Sequence, residues 1–356
     1  MAANFVIDEC WSIDSGPIVS APRPRPLHKI PSSARTNLPQ TEVAEQKGGP
    51  VSRVSLGKSP IFSASRFTLR TDQSPRVDGR SFGVSVPSDE LANAKGSSMV
   101  NWSDELEQLH EESSRTHSID VWTRRAMVGA LGGVPADGVV LDVGCSAGYL
   151  LEDLRTALPS AALVGVDLLF AGLRRARGNL NDATIVQANA CRLPIADASI
   201  DAIVSANLLE HIPVDHDALV EMRRVLRPGG IAVLVVPASP GAYDYYDRFL
   251  QHQRRYARRE LARKSRASGL EVVRDVYLCS LIFPAFWLIK KRNRLRFNDL
   301  QGRALADRVA RDIANTQDSL AFRLFCRIEE WLMTHRVFLP FGIRCLTVVK
   351  RPGECK

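Results

Sequence analysis

The sequence predicts an α/β protein: a doubly wound, Rossmann-like, seven-stranded, mostly parallel sheet with helices on both faces, preceded by a disordered N-terminal segment. Three observations carry this. Short apolar runs recur between Val139 and Val236, and stretches of helical length separate them. The runs are apolar throughout rather than alternating, which suits strands buried on both faces. Residues 1–100 hold 10 of the 20 prolines in the 356-residue chain and keep no helical or strand period.

In chain order, residues 1–100 form a Ser/Pro/Arg-rich extension in which Ala21-Pro22-Arg23-Pro24-Arg25-Pro26 is polyproline-like. Such a segment buries too little apolar surface to offset its ordering entropy. It reads as a targeting peptide, a partner-binding tail or a dispensable extension. Asp8, Glu9 and Asp14 argue against a mitochondrial presequence. Order begins near Asn101, and residues 103–131 read as one or two polar helices. Val139-Val140-Leu141-Asp142-Val143 is the first strand. Leu150, Leu151, Leu154 and Leu158 then keep helical spacing until Pro159 stops them. Leu163–Asp167 is the second strand, residues 169–179 a basic helix, Thr184–Val186 the third strand and Ile200–Val204 the fourth. Leu219, Met222, Val225 and Leu226 mark a helix that Pro228-Gly229-Gly230 ends, and Ile231–Val236 is the fifth strand. Strands alternating with helices make a βαβ series.

Apolar content is 45% and charged content 24%, both ordinary for a globular chain. No apolar stretch reaches the roughly 18 residues of a bilayer-spanning helix. The seven cysteines are scattered, with no Cys-x-x-Cys pair and no Cys/His ladder. That disfavours a disulfide scaffold and a structural zinc site, and fits a reducing, cytoplasmic setting. The net charge of +8 is regional: residues 101–253 are acidic and 254–299 strongly basic. The basic balance therefore does not by itself imply a nucleic-acid partner, and none is expected.

The most informative segment is Asp142-Val143-Gly144-Cys145-Ser146-Ala147-Gly148, which ends the first strand and opens a helix. In this fold ligands bind outside the carboxyl ends of the strands. Small residues there let backbone N–H groups approach closely, and the helix N-terminus adds partial positive charge. Asp167, at the end of the second strand, can accept hydrogen bonds from both hydroxyls of a ribose. The loop lacks the full Gly-x-Gly-x-x-Gly fingerprint, and a carboxylate beside it would repel a pyrophosphate. An amino-acid moiety bearing an ammonium group suits it better.

The segments VVLDVGCSAGYL, LVGVDLL, ANACRLPIADASIDAIVSANLLEHI and VLRPGGIAVLVVP resemble class I S-adenosylmethionine-dependent methyltransferases of the small-molecule type often called type 11. The resemblance implies S-adenosyl-L-methionine as cofactor. It implies that Asp142, Gly144, Cys145, Ser146 and Gly148 line the methionine end, and that Asp167 and Leu168 meet the ribose. Asn189 and Ala190 would meet the adenine, and Asn207 would face the methionine or the acceptor. Two departures from the family pattern stand out. Ser146 replaces the usual middle glycine of the loop, and Asn189 replaces an acidic residue. Phe249–Leu261 (FLQHQRRYARREL) resembles the H-x-R-R-Y segment of a methyltransferase subgroup, with Gly269–Val273 as strand six and Leu339 to Val349 as strand seven. The expected layout is one methyltransferase domain over 101–352. Lid helices occupy 101–137, the cofactor-binding core 138–237, and an acceptor-side region with a basic, apolar insertion 238–352.

Methyl transfer from a sulfonium is an in-line displacement. The enzyme supplies alignment and a dry site, and a general base helps when the acceptor carries a proton. His211, directly after strand four, and His252, within FLQHQRRY, are the base candidates; each could instead shape the acceptor pocket. Tyr243, Tyr245 and Tyr246 are candidates for lining that pocket, while His110 and His117 read as lid or surface residues. Cys145 has no base evident beside it, and Glu210, His211 and Cys145 lack metal-ligand spacing, so no metal is expected. The apolar run 276–289 followed by Lys290, Lys291, Arg292, Arg294 and Arg296 has two readings: strand six with core-packed insertion helices, or a peripheral membrane contact through 276–296. The expected function is methyl transfer to a small-molecule, lipid or sugar-like acceptor. The alternatives are a protein of this fold that binds the cofactor without turnover, and an NAD-dependent oxidoreductase.

Overall fold

The computed structural model describes residues 76–77, 80–81, 115–315 and 320–353. The expectations for residues 1–100, and for the helical stretch before residue 115, therefore lie outside the described residues. The exception is a two-residue antiparallel pairing of Arg76–Val77 with Arg80–Ser81.

Helix α1 (Ser118–Gly129) precedes strand β1 (Val139–Val143), α2 (Tyr149–Ala157), β2 (Ala162–Asp167), α3 (Phe170–Asn179), β3 (Thr184–Gln187) and β4 (Ile200–Ala206). A 3-10 turn (Leu209–His211), α4 (Asp215–Val225) and β5 (Leu226–Pro237) follow. Beyond these lie α5 (Tyr245–Phe249), α6 (Glu260–Ala267), β6 (Glu271–Leu278), α7 (Phe283–Phe297), α8 (Gly302–Asn315), α9 (Leu320–Thr334) and β7 (Arg344–Lys350). The seven strands form one sheet in the order β3-β2-β1-β4-β5-β7-β6. The first five strands pair in parallel, and β7 runs antiparallel between β5 and β6.

Every residue of β1 is buried. Its period of two sends Val140 into one hydrophobic layer, with Leu151, Leu154 and Leu173, and sends Leu141 into the other, with Leu219, Met222 and Val225. Helices therefore cover both faces, as a parallel sheet requires. Helix α1 is tied to α2 by Arg124 and Asp153 (2.6 Å), and to β7 by Arg344, which pairs with Asp120 and donates to Thr123 Oγ1 at 2.8 Å.

Three boundaries differ from the expectation. Leu226 is not the last turn of a helix but the start of β5, paired with Ile200, because Gly229 and Gly230 form an irregularity within the strand rather than a stop after a helix. Strand β6 runs to Leu278, so residues 276–278 of the expected membrane-contact segment are sheet. Lys290, read as part of an exposed basic cluster, is buried and pairs with Asp244 of the α5 cap at 2.8 Å. Among the described residues, no helix is long and apolar enough to cross a membrane.

Candidate active site

The carboxyl ends of β1, β2 and β4 bring together most of the residues assigned to the nucleotide. Gly144 (φ +84°) and Cys145 donate their N–H groups to Val166 O at 2.8 and 3.0 Å, which folds the loop over the end of β2. A Cβ on Gly144 would lie 3.1 Å from Leu208 Cβ, and Gly148 (φ +87°) lets α2 start against Ala176. Both positions need glycine for conformation as well as space. Ser146 also adopts a left-handed conformation (φ +47°), which explains why a glycine commonly stands there. Cys145 is buried within the loop's packing against Gly165.

Asp142 is 1% exposed, and neither of its carboxylate oxygens has a hydrogen-bond partner. Burial, with Asp167 adding repulsion, pushes its pKa up to about 8. A buried, unsatisfied carboxylate is costly unless something completes it. Asp167 is engaged differently: its two oxygens accept from Ser146 N–H and Leu169 N–H, each at 2.9 Å. It therefore braces the loop. Gln187 Nε2 donates to Leu168 O at 2.8 Å, fixing the end of β2 against β3. Asn189 Oδ1 accepts from Cys191 N–H at 2.9 Å, which commits part of its acceptor capacity to the turn that carries Ala190. Asn207 (φ +51°) donates its backbone N–H to Val235 O at 2.9 Å, and Ser205 Oγ donates to Val143 O at 2.8 Å.

A second, largely buried constellation follows β4. The 3-10 turn places Glu210 and His211 beside His252, and one ligand-capable atom from each lies within 4.8 Å of the others. The two imidazoles meet edge to face at 4.8 Å. Glu210 is 0% exposed with both carboxylate oxygens unpartnered, and burial raises its pKa to about 7 against the lowering influence of His252. His252 is oriented from behind. Its Nδ1 lies 2.9 Å from Asp247 Oδ1, Tyr243 Oη donates to its carbonyl at 2.8 Å, and Gln253 N–H donates to Glu210 O at 2.8 Å. Burial would raise the Asp247 carboxyl, but Arg255, the His252 hydrogen bond and Lys290 hold it well below the usual range.

The sequence identified both histidines but not their support. Asp244 and Asp247 form a capping box at the start of α5: Asp244 accepts from Tyr246 N–H, and Asp247 accepts from Asp244 N–H, both at 3.0 Å. The same two carboxylates pair with Lys290 and Arg255. The Asp-x-x-Asp spacing after strand five was the available signal. The rest of the H-x-R-R-Y segment is equally anchored, since Arg254, Tyr256 and Lys264 all converge on Asp215. Of the tyrosines, Tyr243 secures the His252 backbone. Tyr245 is buried with its hydroxyl on Asp312 of α8 and its ring against Phe297, which ties the insertion helices together. His117 precedes α1 without a side-chain cap hydrogen bond, its Nδ1 3.6 Å from Asp120, and His110 lies outside the described residues.

Residues 141–234 match a family model described as a methyltransferase domain. A 37.1 kDa protein in transposon TN4556 of Streptomyces fradiae is 30% identical over 228 residues, which cover 59% of this chain and 60% of that protein. A methyltransferase of Mycobacterium ulcerans (strain Agy99) is 33% identical over 152 residues, 39% of this chain and 56% of its own length. The demethylmenaquinone methyltransferase of Roseiflexus sp. (strain RS-1) is 32% identical over 135 residues, 35% of this chain and 57% of its own length. The chain thus spans less than two thirds of the curated relatives it matches. Its sheet order, with one antiparallel strand next to last, is that of a doubly wound α/β fold. The matched domain and this sheet order together support a methyltransferase domain over residues 141–234.

Proposed function

We propose that the protein transfers the methyl group of S-adenosylmethionine to a proton-bearing small-molecule, lipid or sugar-like acceptor. Asp142 carries the reading: a buried carboxylate without a partner, at the strand end that opens the glycine loop. That donor set fits a nucleoside bearing an ammonium group and suits a pyrophosphate poorly. Asp142 and the Gly144–Gly148 loop would hold the methionine end, Asp167 and Leu168 the ribose, Asn189 and Ala190 the base, and Asn207 the side facing the acceptor. When bound, the cofactor supplies a methyl group already activated by its positive charge.

The chain's own residues then align the acceptor, exclude water and take up a proton. Asp247, kept ionised by Arg255, holds the proton of His252 on Nδ1 and leaves the Nε2 lone pair free to accept the acceptor's proton. His211, edge to face with it, shapes the same space.

The source of the acceptor is read from α7. This helix buries Lys290 and exposes Trp287, Leu288, Ile289 and Leu295 beside Lys291, Arg292, Arg294 and Arg296, while α9 exposes Leu324, Phe325, Ile328 and Trp331. Apolar side chains ringed by cations suit an anionic bilayer surface, which supports peripheral contact and a lipid-phase acceptor. The test is incubation of the protein with a deuterated-methyl donor and extracted metabolites or lipids, read by mass spectrometry. A labelled product made by wild type and lost in His252→Ala is expected. Cofactor binding with no labelled product from any pool would favour the scaffold alternative.

A further inference from the structure

We propose that Glu210, His211 and His252 form a binding site for one divalent first-row transition-metal ion. These are two imidazoles and one carboxylate, all buried or nearly so, with donor atoms within 4.8 Å of one another. Ligands of a tetrahedral ion of this kind stand roughly 3.4 Å apart, so the set closes with side-chain movements of about 1–1.5 Å. Three protein ligands of this type leave positions open for an exogenous oxygen and select imidazole-binding metals over magnesium or calcium.

Three further observations point to a cation. Glu210 is fully buried and neither of its carboxylate oxygens is hydrogen bonded, although its backbone carbonyl accepts from Gln253 N–H. Charge accounting singles it out. The neighbouring cations are already matched: Arg255 with Asp247, Lys290 with Asp244, and Arg344 with Asp120. Glu210 is left as the carboxylate of this cluster without a counter-ion, and a buried carboxylate needs one to ionise. Finally, His252 Nδ1 is held by Asp247, the carboxylate–histidine arrangement that presents Nε2 to a metal with its ring fixed. The sequence offered no ligand spacing because His252 comes from a different element, far along the chain from Glu210.

The ion's role would be to hold an oxygen of the acceptor beside the methyl donor, and that role rests on the methyltransferase reading; binding itself does not. The His252 lone pair that would take a proton is the one that would bind the ion, so His252 would act as base only in the metal-free protein, and comparing turnover of chelator-stripped and zinc-loaded protein separates the two uses. The full chain, stripped with chelator, is titrated with Zn²⁺ alone in the presence of excess Mg²⁺, and binding of S-adenosylhomocysteine is measured on the same preparation. One equivalent of zinc is expected. The affinity should fall at least 100-fold in Glu210→Gln and in His252→Ala, and about 10- to 100-fold in Asp247→Asn. Should a variant fail to fold, cobalt-loaded wild type decides: a d–d spectrum without thiolate charge transfer is expected. Thiolate absorption would put the ion on cysteines and overturn the proposal. So would zinc binding no tighter in wild type than in a folded Glu210→Gln/His252→Ala variant. Retained S-adenosylhomocysteine binding in either failing case would leave the methyltransferase reading intact.

Discussion

Asp247 Oδ1 lies 2.9 Å from His252 Nδ1 and 2.7 Å from Arg255 Nε, so a single buried carboxylate oxygen both orients the imidazole and neutralises the guanidinium. Replacing Asp247 with Asn should lower kcat by roughly 10²-fold, the scale of lost general-base catalysis, with the KM for the methyl donor unchanged. It should also cost about 3 kcal/mol of stability, because Arg255 is left buried without its counter-charge. Chemical denaturation alongside steady-state kinetics checks both. The carboxyl sits below its ordinary 3.8, so its contribution to stability is complete above that pH and fades as pH falls further. A wild-type acid transition lying at higher pH than that of the variant would contradict the assignment.

Asp142 behaves oppositely. Its pKa, raised to about 8 from 3.8, means that ionisation disfavours the fold as pH rises between those values. Asp142→Asn should therefore hold or raise the melting temperature at pH 8 while weakening S-adenosylhomocysteine binding by about 1.5–3 kcal/mol, the worth of a charge-assisted hydrogen bond. An ammonium group favours the ionised carboxylate, so ligand binding at pH 7 should release a proton. Calorimetry in buffers of different ionisation enthalpy reads that release, and a buffer-independent enthalpy would remove Asp142 from the ammonium site.

Asp167 holds Ser146 and Leu169 by their backbone N–H groups, and the proposed ribose contact would be a second role for it. Asp167→Ala should weaken cofactor binding by about 1.5–3 kcal/mol and lower the melting temperature of the free protein, since two loop donors lose their acceptor. Asp167→Asn, which keeps one acceptor oxygen, should fall between. An unchanged dissociation constant in both would detach Asp167 from the nucleotide.

The membrane reading makes its own demand. Wild-type protein should float with anionic vesicles and remain behind with neutral ones, while Lys291/Arg292/Arg294/Arg296→Glu should not float, each cation near the surface being worth about 1 kcal/mol. Lys290 is left out because it is buried against Asp244. Equal recovery of the two proteins would end the idea.

Much of this was legible in residue order. The uniformly apolar runs located the parallel strands because burial on both faces leaves no room for alternation, and the acid-then-glycine loop marked the turn from β1 into α2. What escaped was pairing across distance. Lys290 stands in a run of basic residues and looks solvated, yet it reaches Asp244 because the insertion helices fold back over α5. Leu226 has helical spacing with Met222 and Val225, but its pairing with Ile200 draws it into the sheet. Glu210 resembles any polar residue beside a strand end, and only the packed structure shows that it is buried and uncompensated.

The most direct test of the central claim is isothermal titration of the full chain with S-adenosylhomocysteine and, separately, with NAD. One saturable site for S-adenosylhomocysteine, lost in Gly144→Val, and no measurable heat with NAD are expected. Saturable NAD binding without any S-adenosylhomocysteine binding would contradict that claim.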